Sequence, residues 1–470
     1  MECKLETACN DLDLFLSTLS QQNIPSPEVL QASPISTLVS SNTDEAYRCK
    51  CSFQIIAGDN DNLSCVVREN GLICRLPGGI FLPANHRIRK AMNCLIKLLN
   101  KRNEVSEGYS IQTKHKFHRL RENLTSVTFG TSWDEAECLV TLHYGPPGLQ
   151  SCDEWKQEAQ MVCKECQFSL VNGRSKGKKI CATHIAATDD SILEEGIIQD
   201  TLWLALEKMP IAVRNMRRLK NVSLVQPKQS TATLNVRIQY QKPATAFQHP
   251  NAGVMLTSLQ WILTTLSNVS EKHITTRMSD ARRMKPRLLE MYCGCGAHTI
   301  PLAKSMLISE IVAVELDERL VNACINNCRL NNCFKDHAKS DDDVEKDQDQ
   351  TLVNVFRGDA AEWAAKTLRC IHKKNGDKHA KQISNGKNSY NEFDILLVDP
   401  PRQGLDTTVC EMAMKGTFSH VIYISCGRRS LLRDLKLLCT AFDIEDLAII
   451  DLFPGTDAVE TLLHLKRKTF

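Results

Sequence analysis

Apolar residues follow two different rhythms along this chain. Between Tyr47 and about Ser169, alternating runs such as CSFQII, SCVVREN, SVTFGTS and CLVTLHY read as half-buried strands, and HRIRKAMNCLIKLLNK and CDEWKQEAQMVCKECQ carry apolar residues at helical spacing. That mixture predicts an α+β domain. A further strand cluster, SLVQPKQSTATLNVRIQYQ, leads into FQHPNAGVMLTSLQWILTTL, which reads as an amphipathic helix. After the basic stretch SDARRMKPR the rhythm changes to apolar strand, turn and helix, repeated through RLLEMYCGCGAHTIPLAKSM, SEIVAVELDERLVNACINNC, NVFRGDAAEWAAKTL, FDILLVDPPRQGL and HVIYISCGRRSLLRDL. Strands alternating with helices imply βαβ units and a doubly wound, mainly parallel sheet of the α/β class. Ahead of both domains, a short amphipathic segment, DLDLFLSTL, and the polar SPISTLVSSNTDE suggest an extension or linker over residues 1–45. The expected organisation is therefore 1–45, 46–245 and 246–470, with charged, apolar-poor inserts at 337–350 and 373–392.

Composition narrows the picture. A length of 470 residues calls for two or three domains, and no apolar run approaches the roughly 20 residues a membrane span needs. The start, MECKLETACNDLDLF, has no apolar signal-peptide core, which makes the cytoplasm the expected location, with the nucleus or an organelle as alternatives. The 21 cysteines are scattered through strand and helix patterns, as reduced buried thiols are. The CxxC of Cys163 and Cys166 has no second pair at zinc spacing, so no metal is expected. A net charge of +3 excludes a wholesale basic coat for nucleic acid and leaves three local runs as RNA-contact candidates. These are NGRSKGKKI (Arg174, Lys176, Lys178, Lys179), VRNMRRLK (Arg214, Arg217, Arg218, Lys220) and KHKFHRLR (Lys114, Lys116, Arg119, Arg121).

The candidate chemistry clusters at strand ends of the second half. EMYCGCG puts Gly294 and Gly296 in the first βα turn, where glycine lets backbone approach a ligand at a helix N-terminus. Glu315 closes the next strand 19 residues beyond Gly296, where an acid either holds a ribose hydroxyl pair or is a plain surface carboxylate. Asp359 in FRGDAAEW either accepts from an adenine amino group or caps the helix AAEWAAKTL. Asp399 stands at the mouth of DILLV, and Pro400-Pro401 cannot continue a ladder, so the chain is forced out over the carboxyl edge of the sheet. In that order the features read as a sheet for S-adenosyl-L-methionine rather than for NAD.

Five segments, LLEMYCGCG, VAVELDERLV, VDPPRQGLD, YISC with its leucine-rich helix, and DLFPGTDAVETLLHL, resemble the tRNA (uracil-5-)-methyltransferase family. The likeness extends through YRCKCSFQI, DEWKQEAQ, NGRSKGKKI and FQHPNAGVM, and so spans roughly residues 45–470. It implies a C-terminal methyltransferase domain preceded by an RNA-binding domain, acting on uridine C5 in RNA with S-adenosyl-L-methionine. By the resemblance, Cys426 is the nucleophile, Glu460 the base, Tyr292, Glu315 and Asp399 cofactor contacts, and Phe247 and Gln248 contacts to the target base. Such chemistry is reasonable because thiolate addition at C6 gives C5 carbanion character, and a base must later remove the C5 proton. Cys426 lies just past a strand and before a helix, where the helix N-terminus, helped by Arg428 and Arg429, is expected to lower a thiol pKa. Read from its own segment, Glu460 is an exposed helix residue.

The chain departs from the family pattern at Gly427-Arg428 (usually Asn-Pro), Ala458 (usually His), His249 (usually Gln) and Ala297 (often Asn). Family members that act on rRNA often carry an OB-like domain and an iron–sulfur cysteine cluster. Here only Cys49 and Cys51 stand close together, so the resemblance favours the T-loop uridine of tRNA, in a monomeric enzyme. The competing readings are an rRNA m5U enzyme and a tRNA-binding or folding protein with weakened turnover. An m5C methyltransferase would place a cysteine directly after the Asp-Pro motif, and an adenine N-methyltransferase an aromatic after the proline pair; this chain has Pro401 and Arg402 there.

Overall fold

A computed structural model describes residues 7–8, 11–12, 37–39, 46–69, 72–76, 79–107, 110–147, 152–175, 178–184, 197–205, 235–243, 252–276, 285–333, 351–376, 392–451 and 458–469. The chain divides into two units, one of residues 1–41, 202–239 and 253–470, the other of residues 42–201 and 240–252.

The larger unit is built on an eight-stranded sheet. Its strands are β1 (Thr37–Val39), β2 (Arg287–Met291), β3 (Glu310–Glu315), β4 (Leu352–Arg357), β5 (Ile395–Val398), β6 (His420–Ser425), β7 (Phe442–Ile450) and β8 (Glu460–Arg467). The spatial order is β1-β7-β8-β6-β5-β2-β3-β4. From β6 through β4 all neighbours are parallel, whereas β8 runs antiparallel to both β6 and β7. Helices α1 (Ala252–Thr276), α2 (Thr299–Ser305), α3 (Glu318–Leu330), α4 (Ala360–Gly376), α5 (Thr407–Lys415) and α6 (Arg428–Leu438) belong to this half of the chain. All residues of β2 and β5 are buried, as expected of central parallel strands covered on both faces. This is the doubly wound α/β sheet that the strand–helix alternation predicts.

Its N-terminal part differs from expectation. Ala8 and Leu12 are buried in the core of the sheet unit, and β1 pairs in parallel with Ala448–Ile450 of β7. Residues 1–41 thus belong to this unit rather than forming a separate linker. A strand of three residues set inside a polar cluster is too short for alternation to reveal, yet it covers the edge that β7 would otherwise present.

The second unit is α+β. Its seven-stranded sheet runs, in spatial order, Lys178–His184, Leu170–Ser175, Cys138–Tyr144, Leu124–Thr131, Lys50–Ala57, Leu63–Glu69 and Leu72–Arg75. All pairs are antiparallel except Cys138–Tyr144 with Leu170–Ser175. Helices His86–Leu99 and Cys152–Cys166 supply Ile88, Leu95, Trp155 and Val162 to one core with Phe53, Phe129 and Phe168. Asn85 caps the first helix by accepting from Ile88 N (2.9 Å), and its amide donates to Thr131 Oγ1 on the sheet (2.7 Å). Cys163 and Cys166 are buried in this core, and among the described residues no group of three or more His, Cys, Asp or Glu is placed to hold a metal ion. Among the described residues, no helix is long and apolar enough to cross a membrane.

Candidate active site

The chain proceeds from β2 outward to β3 and β4, then returns to β5 and β6 on the other side of β2. A sheet with this order opens a crevice at the carboxyl ends of β2 and β5, where the winding reverses. The candidate residues collect there. Tyr292, Gly294 and Gly296 follow β2; Glu315 ends β3; Asp359 follows β4; Asp399 follows β5; and Cys426 follows β6. Glu460 comes to the same edge from the opposite direction, because β8 is antiparallel and begins there. Thr461 pairs with Ser425, so the register carried one residue further sets Glu460 opposite Cys426. Glu460 is a buried strand residue, 4 % exposed, and not the exposed helix residue its own segment suggests.

The glycine turn is shaped by close approach. Gly296 has φ +89°, and a Cβ there would lie 3.0 Å from Cys324 Sγ on α3, so both conformation and space demand glycine. Asn327 of α3, fully buried, donates to the Cys295 carbonyl (2.9 Å) and fixes the turn against the helix. Glu315 faces the same turn: one carboxylate oxygen accepts from Gly294 N (3.0 Å), the other from Asp317 N (2.9 Å). Each oxygen retains a lone pair, the capacity a ribose diol requires. At Gly294, with φ +55°, the space a Cβ would occupy is open. Asp359 caps α4, its Oδ1 accepting from Ala361 N (2.9 Å) and Glu362 N (3.0 Å), so the capping role is realised.

Asp399, Cys426 and Glu460 act on one another electrostatically. Burial pushes Asp399 up to about 7. Burial, and then the charge of Asp399, push Glu460 up to about 8. Both carboxyls can therefore exchange protons near neutrality, as a general base must. A desolvated acid such as Asp399 ionises readily only beside a positive group, so the donor set suits a cationic ligand with a sulfonium and an ammonium.

The thiol departs from the sequence expectation. Burial, then Asp399 and Glu460, push Cys426 above the ordinary thiol value, and Arg402 is the cation that pulls it down. Arg428 is not that cation; its Nη1 lies 3.2 Å from Asp11 Oδ2 in the N-terminal segment. A cavity of about 280 Å³ opens on Cys426, walled by Arg402, Gly427, Arg428, Arg429, Ser430, Ala458 and Val459.

Two contributors escaped the sequence reading. Arg402 follows the proline pair of DPPR, where its position in the sequence gives no sign of the cysteine 24 residues later. Glu290 is fully buried beneath the glycine turn and accepts from Thr299 Oγ1 (2.7 Å), and burial pushes its carboxyl well above the ordinary value. Its Oε1 finds no hydrogen-bond partner among the described residues. An acid interrupting the apolar strand RLLEM was the available signal.

Phe247, Gln248, Lys176, the run 214–220, the insert 337–350 and residues 377–391 of the insert 373–392 lie outside the described residues, whereas 373–376, expected as loop, complete helix α4. Arg174 lies in strand Leu170–Ser175, and the register sets Lys179 opposite it and Lys178 opposite Ser175. In KHKFHRLR the arginines are spent within the unit. Arg119 pairs with Glu154 and Glu122, and Arg121 donates to Leu99 O (2.9 Å) and Asn100 Oδ1 (3.0 Å).

The comparisons with known proteins converge on one family. The profile described as tRNA (Uracil-5-)-methyltransferase matches residues 205–337 and 364–468. The chain belongs to this family. A tRNA/tmRNA (uracil-C(5))-methyltransferase of Pseudoalteromonas atlantica is 24% identical over 99% of this chain and 97% of its own length. The protein of that name from Pseudomonas syringae pv. syringae is 27% identical over 90% of this chain and 89% of its own. Among solved structures, the Pyrococcus abyssi tRNA (uracil-54, C5)-methyltransferase in complex with S-adenosyl-L-homocysteine superposes with a TM-score of 0.50 at 15% identity. The match covers 91% of this chain and 78% of that one, a likeness of fold.

Proposed function

We propose that this member of the family methylates C5 of the T-loop uridine of tRNA with Cys426 as nucleophile and Glu460 as base. The methyl donor is S-adenosyl-L-methionine, which supplies an electrophilic methyl group on a sulfonium. Tyr292, Gly294, Gly296 and Glu315 are the residues that would hold it, with Asp399 facing its positive charge. Membership of the family and the full-length likeness to tRNA/tmRNA (uracil-C(5))-methyltransferases support SAM-dependent methylation of tRNA uracil C5. The observation that carries the assignment of roles is the β6–β8 register, which sets a buried carboxyl opposite a cysteine at the mouth of a cavity.

The residues account for each step. The Cys426 thiol loses its proton to solvent, and the thiolate adds to C6 of a uracil turned out of its stack, leaving an enolate whose C5 would take the methyl group as the sulfonium's methyl–sulfur bond breaks and its electron pair stays on sulfur. Arg402 favours the thiolate against burial. Glu460, in the ionised fraction that a pKa of about 8 leaves near neutrality, then takes the C5 proton, and the electron pair released re-forms the C5–C6 double bond as the thiolate leaves. Phe247 and Gln248 against the base and Arg174, Lys176, Lys178 and Lys179 along the RNA backbone complete the proposal, in a monomer working in the cytoplasm.

Transfer of labelled methyl groups to an unmodified tRNA transcript, followed by nucleoside analysis, tests this reading. Wild type should produce 5-methyluridine, Cys426→Ala none, and Glu460→Gln a covalent protein–RNA adduct that persists. A Cys426→Ala protein that still turns over would remove the nucleophile assignment. Wild type that binds tRNA but makes no methylated nucleoside would favour a tRNA-binding protein, with the Gly427-Arg428 and Ala458 departures as the first suspects.

A further inference from the structure

The loop after β5 folds back on the helix after Cys426, and one buried carboxylate is tied to both. Asp434 of α6 is 1 % exposed. Its Oδ2 accepts from Leu405 N (2.8 Å) and from Tyr423 Oη (2.6 Å), and its Oδ1 accepts from Arg433 Nε (2.8 Å). Arg433 passes the grip onward, its Nη2 donating to the carbonyl oxygens of Gln403 (2.9 Å) and Leu405 (3.0 Å). One turn earlier, Ser430 Oγ lies 2.8 Å from both the Arg402 and the Gly427 carbonyl oxygens and shares its one proton between them. Residues 402, 403 and 405 are therefore each held by backbone atoms to side chains of α6.

Two glycines permit this approach. Gly404 has φ +79°, and a Cβ there would stand 2.5 Å from Asp434 Oδ2 and 2.8 Å from Ser430 Cβ. A Cβ on Gly427 would stand 2.5 Å from Ser430 Oγ and nearer still to the Arg402 carbonyl oxygen. An ion this deeply desolvated is tolerated only where hydrogen bonds surround it, and the donors around Asp434 come from strand, helix and loop together. Asp434 does not itself line the cavity over Cys426, whereas Arg402 and Ser430 do.

We propose that Asp434 is a positioning residue for uracil methylation: by clamping residues 402–405 to α6 it holds the Arg402 side chain at the cavity that contains Cys426. The proposal rests on the reading of Cys426 as the nucleophile. Around the thiol stand Asp399 from the end of β5, Glu460 from β8, Arg402 from the loop, and Arg428 and Arg429 from α6. Arg428 is engaged by Asp11, and Arg402 is the cation that pulls the thiol down against the two carboxyls. The groups facing Asp434 are Tyr423, Arg433, Cys410 and, from the turn after β2, Tyr292. Releasing the clamp moves a cation away from the thiol, so the thiolate fraction at a given pH falls.

The test uses the full chain as wild type, Asp434→Asn, Arg402→Gln and the double variant. Two quantities are read: methyl transfer to tRNA, and the pH profile of Cys426 alkylation by iodoacetamide, followed on the Cys426 peptide by mass spectrometry. Asp434→Asn should lower kcat by about ten- to a hundredfold with KM for S-adenosyl-L-methionine unchanged, the scale expected of a displaced active-site group. Its alkylation profile should move to higher pH, as with Arg402→Gln, and the double variant should move no further than Arg402→Gln alone, because both changes act through one cation. Ser430→Ala, which removes the hydroxyl shared by the Arg402 and Gly427 carbonyls, should move the profile the same way by less, and decides by the same criteria if Asp434→Asn does not fold. The proposal is overturned if a folded Asp434→Asn protein keeps the wild-type profile, or if the substitution shifts the profile as much on the Arg402→Gln background as on wild type. Retained turnover in Cys426→Ala would instead defeat the nucleophile reading and leave the alkylation result to stand for the clamp.

Discussion

Replacing Glu460 by glutamine should make the protein more stable at alkaline pH while abolishing turnover. Burial and Asp399 raise Glu460 from 4.5 to about 8, and burial raises Asp399 from 3.8 to about 7. A carboxyl whose folded-state pKa lies above its unfolded value binds its proton more tightly when folded. Its contribution is fully present below the unfolded pKa, near pH 4, and is lost as pH rises through the folded value. Within that window each such group tilts stability downward by about 1.4 kcal/mol per pH unit. Glutamine keeps the volume and polarity of the side chain and cannot ionise. Between about pH 5.5 and 7.5, wild type should therefore lose some 2–3 kcal/mol relative to Glu460→Gln. His298, lowered to about 4 by burial, works in the opposite sense, since its stability is gained as pH rises towards 6.5. It is present in both proteins and cancels in the comparison. Urea unfolding without cofactor, measured at half-unit steps, supplies the two curves. Parallel curves, or a variant less stable than wild type at pH 8, would refute the claim that Glu460 is held protonated by its surroundings.

Three further outcomes follow from the same geometry. Glu315→Ala removes the acceptor for Gly294 N and Asp317 N, and calorimetry should show at least a tenfold weaker affinity for S-adenosyl-L-methionine, about 1.4 kcal/mol. Gly427→Ala places a Cβ against the Arg402 carbonyl and Ser430 Oγ, and should cost about 1–3 kcal/mol in denaturant unfolding as well as most of the methyl-transfer rate. Tyr144→Phe deprives the buried Trp155 indole N–H of its acceptor at 2.7 Å, and should cost about 1–3 kcal/mol without changing turnover per folded molecule.

The alternation of strands and helices was legible because central parallel strands are buried on both faces and so appear as unbroken apolar runs; RLLEM, IVAVE, ILLV and HVIYIS became β2, β3, β5 and β6. What each strand end delivers was legible too, since the loops after parallel strands share one edge. The edge strand β1 was not, because three residues give no period to read. Nor was the origin of the thiol's environment. Proximity along the chain favoured Arg428, but Arg428 turns to Asp11 and Arg402, 24 residues earlier, is the cation that pulls the thiol down. Arg428 and Arg429 reach the same cavity from the helix, but the loop across the crevice brings the charge that lowers the thiol.

Glu460 shows why the base was the hardest residue to place. In DAVETLLHLKR the acid opens an apolar run that fits a helix or a buried strand equally well, and nothing local chooses between them. The choice is made by β8 running antiparallel between β6 and β7. A parallel strand would bring its last residue to the catalytic edge, while an antiparallel strand brings its first, so the base must be the residue that opens the strand. The pairings Thr461 with Ser425 and Ile450 with Glu460 then fix that residue from both sides. A slip of one residue in either ladder would turn the Glu460 carboxyl to the opposite face of the sheet. The ladders that bury Leu462, Leu463 and Leu465 in the core are therefore also what keeps the proposed base, Glu460, beside the proposed nucleophile, Cys426.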